Sequence, residues 1–391
     1  MKNFCSAPFV HMYVHSNEGH RVCCMSTEST LIDNTVEPDL KKRWSSKYYK
    51  DLRTQMLSDE RPEICNKCYS IEDVGGTSDR MRFNDLYLKD LEPDVLHGNQ
   101  YQSPIDLDIR PGNLCNLRCR MCGPVSSSQM VKEIKENKFL TKILGKGDIT
   151  SSDSLTLTEN IKFLLSNADK SKRIKFLGGE PTIMPEVDEF LDILIERELF
   201  STPLHITTNC TNGNKRFMDK LSKFKAVSFN YSVDGTGKVV EYIRDPVKFK
   251  TINTVIKKYH DIAHSGEISF TLQAYNFFNL PESIEWANSI GIILRPEILR
   301  YPFFMSYKTI PLVKRQKRIE MMMKYIKRLS DEQQKRVEPC LHLMYNDTEE
   351  YDTKELANAT KMFDKSRGQH IKDYIPEIWN IIKEDYDAIQ I

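Results

Sequence analysis

The sequence lacks any uninterrupted apolar run of the roughly 18 residues that a membrane-spanning helix needs. It also lacks an excess of either charge, because 56 Lys and Arg balance 55 Asp and Glu. A membrane span is therefore not expected, and bulk charge attracts neither nucleic acid nor an anionic membrane. The first residues lack the apolar core of a signal peptide, so we expect a cytoplasmic protein.

Cysteine, by contrast, is frequent and unevenly placed, with 10 in 391 residues. In a reducing compartment cysteines are better candidates for metal ligands than for disulfides. They fall into an N-terminal group, a central triplet and two isolated residues: Cys5, Cys23, Cys24, Cys65 and Cys68; Cys115, Cys119 and Cys122; and Cys210 and Cys340. This grouping predicts two separate metal centres.

From about residue 103 the pattern alternates between short apolar strands and amphipathic helices. Strands are predicted at 105–109, 174–177, 204–207, 226–232, 268–274 and 292–296, and helices at 187–199, 215–223, 247–264 and 281–290. Such alternation predicts a parallel α/β sheet or barrel whose ligands bind beyond the carboxyl ends of the strands. The cysteine triplet and three further polar motifs all lie at such ends.

The two flanks of this region follow other patterns. Before it, residues 8–15 and 20–25 surround a good turn and predict a hairpin, and residues 39–56 predict a helix. After residue 301 the chain is charged and Met-rich with helical spacing, which predicts a helical cap on the sheet.

The triplet has a spacing that suits an iron–sulfur cluster. Thiolates separated by three and then two residues can face a common point when the chain between them loops. Three such ligands leave the fourth iron of a cubic 4Fe–4S cluster open to a substrate or cofactor. A zinc site would need a fourth ligand nearby, and no Cys or His follows within twenty residues of Cys122.

This triplet after one strand, with GGEP at residues 178–181 after the next, resembles the radical S-adenosylmethionine superfamily. Residues 108–124, 231–235 and 242–244 resemble the subset that carries an extra half-size auxiliary-cluster module, called a twitch domain. The resemblance implies an α/β fold, a partial (β/α)6 parallel barrel with a small N-terminal α+β cluster-binding module and a C-terminal helical extension. The parts would be a twitch-like auxiliary iron–sulfur module at 1–100, the core at 101–300 and the extension at 301–391.

By this resemblance Cys115, Cys119 and Cys122 hold a 4Fe–4S cluster whose open iron binds S-adenosylmethionine. One electron, from a flavodoxin- or ferredoxin-like donor, cleaves the cofactor to methionine and a 5′-deoxyadenosyl radical that abstracts hydrogen from the substrate. The resemblance also places eight residues at the cofactor: Gly178, Gly179, Glu180, Thr207, Asn209, Ser232, Asp234 and Arg244.

The chemistry of these side chains suits such a cofactor. Glu180 can accept hydrogen bonds from an ammonium group, although Gly-Gly-Glu alone is usually a turn. Thr207, Thr208 and Asn209 suit a ribose or a carboxylate, and they too are more often a turn. Arg244 could hold the methionyl carboxylate as a fork, or it could form an ordinary surface salt bridge.

The N-terminal cysteines offer four ligands from five candidates. Adjacent residues on a strand point to opposite faces, so Cys23 and Cys24 are not both expected to bind one cluster. We predict Cys5, Cys23, Cys65 and Cys68, with Cys24 as the substitute for Cys23. A structural zinc could use the same four thiols, but the resemblance favours an auxiliary 4Fe–4S cluster. If only three ligate, an open iron could bind substrate directly.

Three functions remain open on the sequence. The leading hypothesis is an oxidation or bond-forming reaction on a peptide, with the auxiliary cluster accepting an electron or anchoring the substrate. Cys210, at a strand end, could donate hydrogen to the substrate radical or could simply be buried. The second hypothesis moves the radical chemistry to a nucleoside, sugar or other small metabolite.

The third hypothesis is a non-enzymatic iron–sulfur electron carrier. The Gly-Gly-Glu motif and Asn209 argue against it, because a carrier needs no cofactor pocket. No basic stripe is present, so nucleic acid is a poor substrate candidate.

Overall fold

A computed structural model describes residues 2–15, 22–26, 39–73, 76–91, 103–145, 164–165 and 171–390. In these residues the chain forms strands β1 to β7: His11–His15, Asp106–Arg110, Arg173–Phe176, Leu204–Thr208, Val227–Ser232, Ser265–Leu272 and Ile293–Ile298. The strands follow one another in chain order in one sheet, with β1 and β7 at its ends. The predicted parallel α/β fold is confirmed.

Helices occupy most of the connections and the whole C-terminal part. Those numbered α1 to α8 are Ala7–Val10, Leu40–Trp44, Lys47–Leu57, Asn66–Asp73, Asp79–Tyr87, Ser128–Glu136, Thr141–Leu144 and Pro185–Glu196. Those numbered α9 to α16 are Lys215–Leu221, Gly237–Ile243, Phe249–Ile262, Leu280–Ser289, Leu312–Ile326, Asp331–Asn346, Thr353–Arg367 and Pro376–Ala388. The helical extension is therefore confirmed. None of the described helices combines the length and the hydrophobicity that a bilayer-spanning segment requires.

The chain divides into two compact units. The first comprises Met1–Gly112, Ser152–Ile206 and Asp219–Val227, and the second comprises Asn113–Ser151, Thr207–Met218 and Ser228–Ile391. The N-terminal cysteines and β1 to β3 therefore belong to the first unit. The cysteine triplet and the C-terminal helices belong to the second.

Strand β1 lies within residues 8–15, the first strand of the predicted hairpin, but its partner is not the one that was predicted. It pairs in parallel with β2, so that His11 lies beside Asp106 and Tyr13 beside Asp108. The predicted hairpin is wrong where it can be examined, because residues 22–26 form a bend and a turn instead of a second strand. Residues 16–21 lie outside the described residues. The pairing with β2 satisfies the backbone of β1 and buries its apolar side chains, which a two-stranded hairpin alone would leave in water.

The first three strands have one apolar and one charged face, because successive side chains alternate. The apolar face is buried against helices, and Phe176 on it contacts Phe190 of α8 with ring centroids 5.4 Å apart. We call the opposite side the polar face; it carries His11, Tyr13, Asp106, Asp108, Arg173 and Lys175. Because the apolar face must be buried, the register of the strands is fixed, and the charged side chains all lie on the opposite face.

Candidate metal and cofactor sites

The three central cysteines lie on one loop of the second unit, residues 113–124, which we call the cluster loop. Cys115 and Cys119 are buried and Cys122 is half-buried. The Cys122 backbone N–H donates to the Cys119 carbonyl at 3.0 Å, and the two thiols also share a hydrogen bond. The Leu117 N–H lies 3.4 Å from Cys115 Sγ, so the loop turns a backbone donor toward its own sulfur.

Two side chains from elsewhere in this unit, one just after β4 and one at the C-terminal end of α10, also point donors at these sulfurs. Asn209 Nδ2 lies 3.9 Å from Cys115 Sγ, and Arg244 Nη1 lies 4.0 Å from Cys119 Sγ. The hydrogen bond from Cys122 and the charge of Arg244 lower the pKa of the Cys119 thiol, although burial opposes them. N–H donors around thiolates are the usual surroundings of an iron–sulfur cluster, so these residues fit the predicted 4Fe–4S group.

Arg244 is tied to Asp234, another predicted cofactor residue. Its Nε donates to Asp234 Oδ2 at 2.7 Å, and both side chains are buried. The second oxygen of Asp234 accepts from the Thr271 backbone N–H at 2.7 Å. Arg244 is therefore no surface salt bridge, since it forms a buried pair beside Cys119. Its predicted role at the methionyl carboxylate stays a prediction.

The Gly-Gly-Glu motif lies in the first unit, just after β3. Gly178 has φ +127, and an added Cβ would lie 2.8 Å from the Gly112 carbonyl oxygen. The Gly179 N–H donates to that same carbonyl at 3.2 Å. The Glu180 carboxylate is buried and accepts from the Thr182 hydroxyl at 2.6 Å and its N–H at 3.2 Å. The motif therefore contacts the chain that follows β2, and this close approach explains Gly178.

Three further predicted residues, Thr207, Cys210 and Ser232, lie at the end of a strand or just after it. Thr207 and Ser232 are half-buried at the ends of β4 and β5. Cys210 is fully buried with a left-handed φ of 58, and its thiol lies 3.7 Å from the Thr208 carbonyl. The catalytic role of Cys210 stays a prediction.

The N-terminal thiols line one small cavity in the first unit. Its wall contains Cys5, Cys23, Cys65 and Cys68, the four ligands that we predicted, together with Arg80 and Phe83 among others. Cys24 is not part of this wall. The alternation argument for Cys23 does not apply, however, because residues 22–26 form a bend and a turn.

Burial raises the pKa of all four thiols in this wall, that of Cys65 to about 12. Backbone N–H groups of Ala7, Met25 and Arg80 donate to three of the four sulfurs. Among the described residues, no three Cys, His, Asp or Glu side chains converge on a single-ion position. A cubic cluster takes one thiolate at each iron, so it does not need such convergence, and this wall fits one.

A buried network that the sequence did not reveal fastens the cluster loop to the C-terminal helices. Arg120, between two triplet cysteines, donates from Nη2 to Asp364 Oδ1 of α15 at 2.9 Å, and both side chains are buried. Its guanidinium lies 3.5 Å from the centre of the Tyr242 ring, whose hydroxyl donates to the same Asp364 oxygen at 2.7 Å. Gln369 accepts a second bond from Arg120 Nη2 at 2.7 Å.

Family models match two stretches of the chain. Residues 109–272 match the radical SAM superfamily, and residues 5–69 match the SPASM model, an iron–sulfur cluster-binding domain. The first stretch contains the cluster loop, and the second contains the five N-terminal cysteines. No match was found among curated proteins.

Several solved structures are similar at low identity. Streptococcus suis SuiB bound to S-adenosylmethionine is 16% identical, with 73% of this chain and 60% of that chain covered and a TM-score of 0.41. Native anSMEcpe with bound AdoMet is 15% identical, with 56% and 60% covered and a TM-score of 0.43. TYW1 with a lysine-pyruvate adduct is 15% identical, with 56% and 72% covered and a TM-score of 0.34. The chain spans about three fifths of the length of the first two.

The two domain matches fix the cofactors that the sequence predicted. The first binds a 4Fe–4S cluster and S-adenosylmethionine, and the second binds an auxiliary iron–sulfur cluster. The donors around Cys115 and Cys119 and the four-thiol cavity agree with both assignments. The chain thus carries a domain of the radical S-adenosylmethionine superfamily, preceded by an iron–sulfur cluster-binding domain.

Proposed function

We propose that this protein is a radical S-adenosylmethionine enzyme that oxidises a peptide or forms a bond on it. When bound, the cluster and cofactor supply a 5′-deoxyadenosyl radical that abstracts hydrogen from the substrate. The observation that carries the proposal is the cluster loop, whose three cysteines lie within the superfamily domain. Two of its sulfurs meet N–H donors, Cys115 Sγ from Leu117 and Asn209 and Cys119 Sγ from Arg244.

The protein's own residues would hold and insulate this centre. Burial of Cys115 and Cys119 keeps water away from the sulfurs, and Arg244 places a positive charge beside them. Asp234 fixes the orientation of that guanidinium through a buried hydrogen bond of 2.7 Å. A cation that is already held in place next to thiolates offsets their negative charge, and no side chain has to move for it to do so.

The four-thiol cavity supports an oxidation. Hydrogen abstraction leaves the substrate as a radical, and loss of one further electron and one proton completes a two-electron oxidation. The cavity walled by Cys5, Cys23, Cys65 and Cys68 would hold the centre that receives this electron or anchors the substrate.

The polar face supports a peptide as the substrate. It presents acidic and basic side chains in rows, which suits charged amino-acid side chains. We therefore prefer a peptide to a nucleoside.

Reconstituted protein mixed with S-adenosylmethionine and dithionite tests the radical chemistry. We expect 5′-deoxyadenosine and about eight irons per chain, the content of two 4Fe–4S clusters. About four irons with one zinc would refute the auxiliary cluster and leave the radical chemistry intact. Absence of 5′-deoxyadenosine in protein that holds its iron would refute the proposed function.

Three single cysteine variants make the test specific to each site. Cys119→Ser should lose 5′-deoxyadenosine and about four irons, whereas Cys65→Ser should lose about four irons and still cleave the cofactor. Cys340→Ser is the matched control, because this thiol lies outside both groups, and it should behave like the wild type. Equal iron loss in all three variants would mean that general unfolding, and not ligation, causes the loss.

A further inference from the structure

The polar face contains a lysine, Lys175, in the middle of a row of polar side chains. Parallel pairing places Tyr13, Asp108, Lys175 and His205 side by side in one row across four strands. Lys175 is half-buried. In the described part of the chain its ammonium group makes no hydrogen bond or ion pair. A half-buried lysine has lost part of its hydration, and no described residue replaces that hydration with a hydrogen bond.

The acids beside Lys175 are already engaged with another cation. Arg173 donates to Asp106 from Nε at 2.7 Å and from Nη2 at 3.0 Å, and it reaches Asp108 at 3.1 Å. His11 Nδ1 lies 2.8 Å from the same Asp106 carboxylate. Burial would raise the pKa of Asp106, but His11 and Arg173 lower it to about 2. Both carboxylates are thus paired with groups other than Lys175.

A second buried group on this face has no protein partner. His11 Nε2 is enclosed and makes no hydrogen bond, although the other ring nitrogen is held by Asp106. The His11 ring lies 5.0 Å from that of Phe83, which also lines the four-thiol cavity. An enclosed imidazole nitrogen without a partner indicates a polar group that the protein itself does not supply.

The row that contains Lys175 also lies beside the N-terminal cysteines. The thiol of Cys24 interacts electrostatically with Asp108, Lys175 and Arg173, all on the polar face. The next residue along the chain, Cys23, lines the four-thiol cavity. A molecule on the polar face would therefore lie close to the auxiliary site.

We propose that the polar face is a substrate subsite in which the Lys175 ammonium group binds a carboxylate of the substrate. This inference rests on the proposed function and adds that the substrate is an acidic peptide. Asp106 and Asp108 are paired with Arg173 and not with Lys175, so the donors of the Lys175 ammonium group face the substrate. The carboxylate at Lys175 then fixes the peptide beside the auxiliary cavity.

Peptide selection by the reconstituted full chain with S-adenosylmethionine tests the subsite. The probe is a pool of N-acetylated, C-amidated heptapeptides whose central residue is Glu, Gln, Asp, Asn or Lys, with bound peptides measured by equilibrium dialysis and mass spectrometry. We expect Glu and Asp peptides to be retained about tenfold over Gln and Asn peptides, as one charge-assisted hydrogen bond gives. Blocked termini make the side chain the sole source of a carboxylate.

Variants at position 175 separate charge from shape. Lys175→Gln should abolish the preference, Lys175→Arg should keep it, and Lys175→Glu should favour Lys peptides. Lys223→Gln is the matched control, because this exposed lysine of the first unit lies off the polar face. An acidic preference that survives in Lys175→Gln, or no preference in the wild type, would overturn the subsite.

A further arm identifies the source of the carboxylate. Glutarate and N-acetylglutamate amide are added as competitors of the Glu peptides, and we expect each to compete weakly because it lacks the flanking residues. Competition at the same concentration as the peptides would overturn the peptide part of the inference. Cofactor cleavage without acidic selection would refute the subsite alone, whereas absent cleavage would refute the proposed function.

Discussion

The buried ion pair between Arg120 and Asp364 gives a test of what holds the cluster loop in place. We consider Asp364→Asn, which keeps the shape of the side chain and removes its charge. Asp364 accepts from Arg120, from the Tyr242 hydroxyl, from the Tyr386 hydroxyl at 3.1 Å and from the Ile371 N–H at 2.9 Å. The variant would leave the Arg120 charge without a counter-charge.

The expected cost is large because the arginine cannot reach water. Arg120 is fully buried, and breaking one partner of a buried pair typically costs about 3–5 kcal/mol. Whole domains are stable by only about 5–15 kcal/mol, so the loss would be a substantial fraction of the free energy of unfolding. Gln369 and the Tyr242 ring remain as partners of the guanidinium, which places our expectation near about 3 kcal/mol.

Two measurements check this expectation. Urea unfolding of the protein gives the free energy of unfolding, and electron paramagnetic resonance of the dithionite-reduced, reconstituted protein reports on the cluster. Because Arg120 lies between Cys119 and Cys122, the cluster signal should change as well as the stability. Glu384→Gln, at an exposed acid of α16, is the matched control and should change neither.

A pair of apolar substitutions distinguishes the charge from the packing. Arg120→Met combined with Asp364→Leu removes both charges together, and such replacements are often neutral. We therefore expect the double variant to be more stable than Asp364→Asn. If Asp364→Asn costs less than about 0.5 kcal/mol, the range of ordinary surface changes, the ion pair does not hold the loop.

Three other predictions follow from the sites. Gly178→Ala should destabilise the protein by at least about 2 kcal/mol in thermal unfolding, because φ +127 and the Gly112 carbonyl both oppose a Cβ, whereas Gly123→Ala, with open space around it, should not. Arg244→Gln should lower the reduction potential of the cluster in a redox titration, since a cation 4.0 Å from Cys119 Sγ favours the more negative reduced state, and an unchanged potential would refute this. The pKa of Asp106 is about 2 in the folded protein and 3.8 ordinarily, so its stabilisation of about 2 kcal/mol is present above pH 4 and is lost as the pH falls through 2. Asp106→Asn should therefore flatten this part of the acid-unfolding curve, and an unchanged curve would contradict the assignment.

The sheet was largely predictable because its signals are local. The strand predicted at 105–109 is observed as Asp106–Arg110, and that at 204–207 as Leu204–Thr208. Alternation of apolar and polar side chains depends only on neighbours in the chain. The predicted helix at 39–56 is interrupted because Ser46 caps a new helix, its hydroxyl accepting from the Tyr49 N–H.

The position of β1 was not predictable in the same way. Its partner β2 lies 95 residues further along the chain at the His11–Asp106 contact, so nothing local distinguishes this pairing from a hairpin. The choice of Cys23 over Cys24 likewise assumed a strand at these residues, and the structure has a bend and a turn there. The cavity wall contains Cys23 because of the turn at residues 22–26, whose geometry the spacing of the cysteines does not determine.

The sequence analysis did not predict that the C-terminal helices bind the cluster loop, because the charged residues of these helices have the spacing of a solvated helix surface. Asp364 lies 244 residues from Arg120, and a single sequence gives no sign that the two meet. The same helix, α15, also binds α6, the helix that follows the cluster loop. Its Arg367 pairs with the buried Glu133 of α6 at 2.8 Å.

These contacts change the interpretation of the extension as a cap on the sheet. The domain match ends at residue 272, yet Asp364 and Arg367 lie beyond it and bind residues within it. Without α15 the buried charge of Arg120 would be unbalanced, and Glu133 would keep only Arg118, at 3.9 Å, as a cation. Unbalanced buried charge is among the costliest defects in a fold. The geometry of the cluster loop therefore depends on helices outside the matched domain. A chain that ended near residue 300 would keep all three cysteines of the triplet and still lack the groups that neutralise the loop between them.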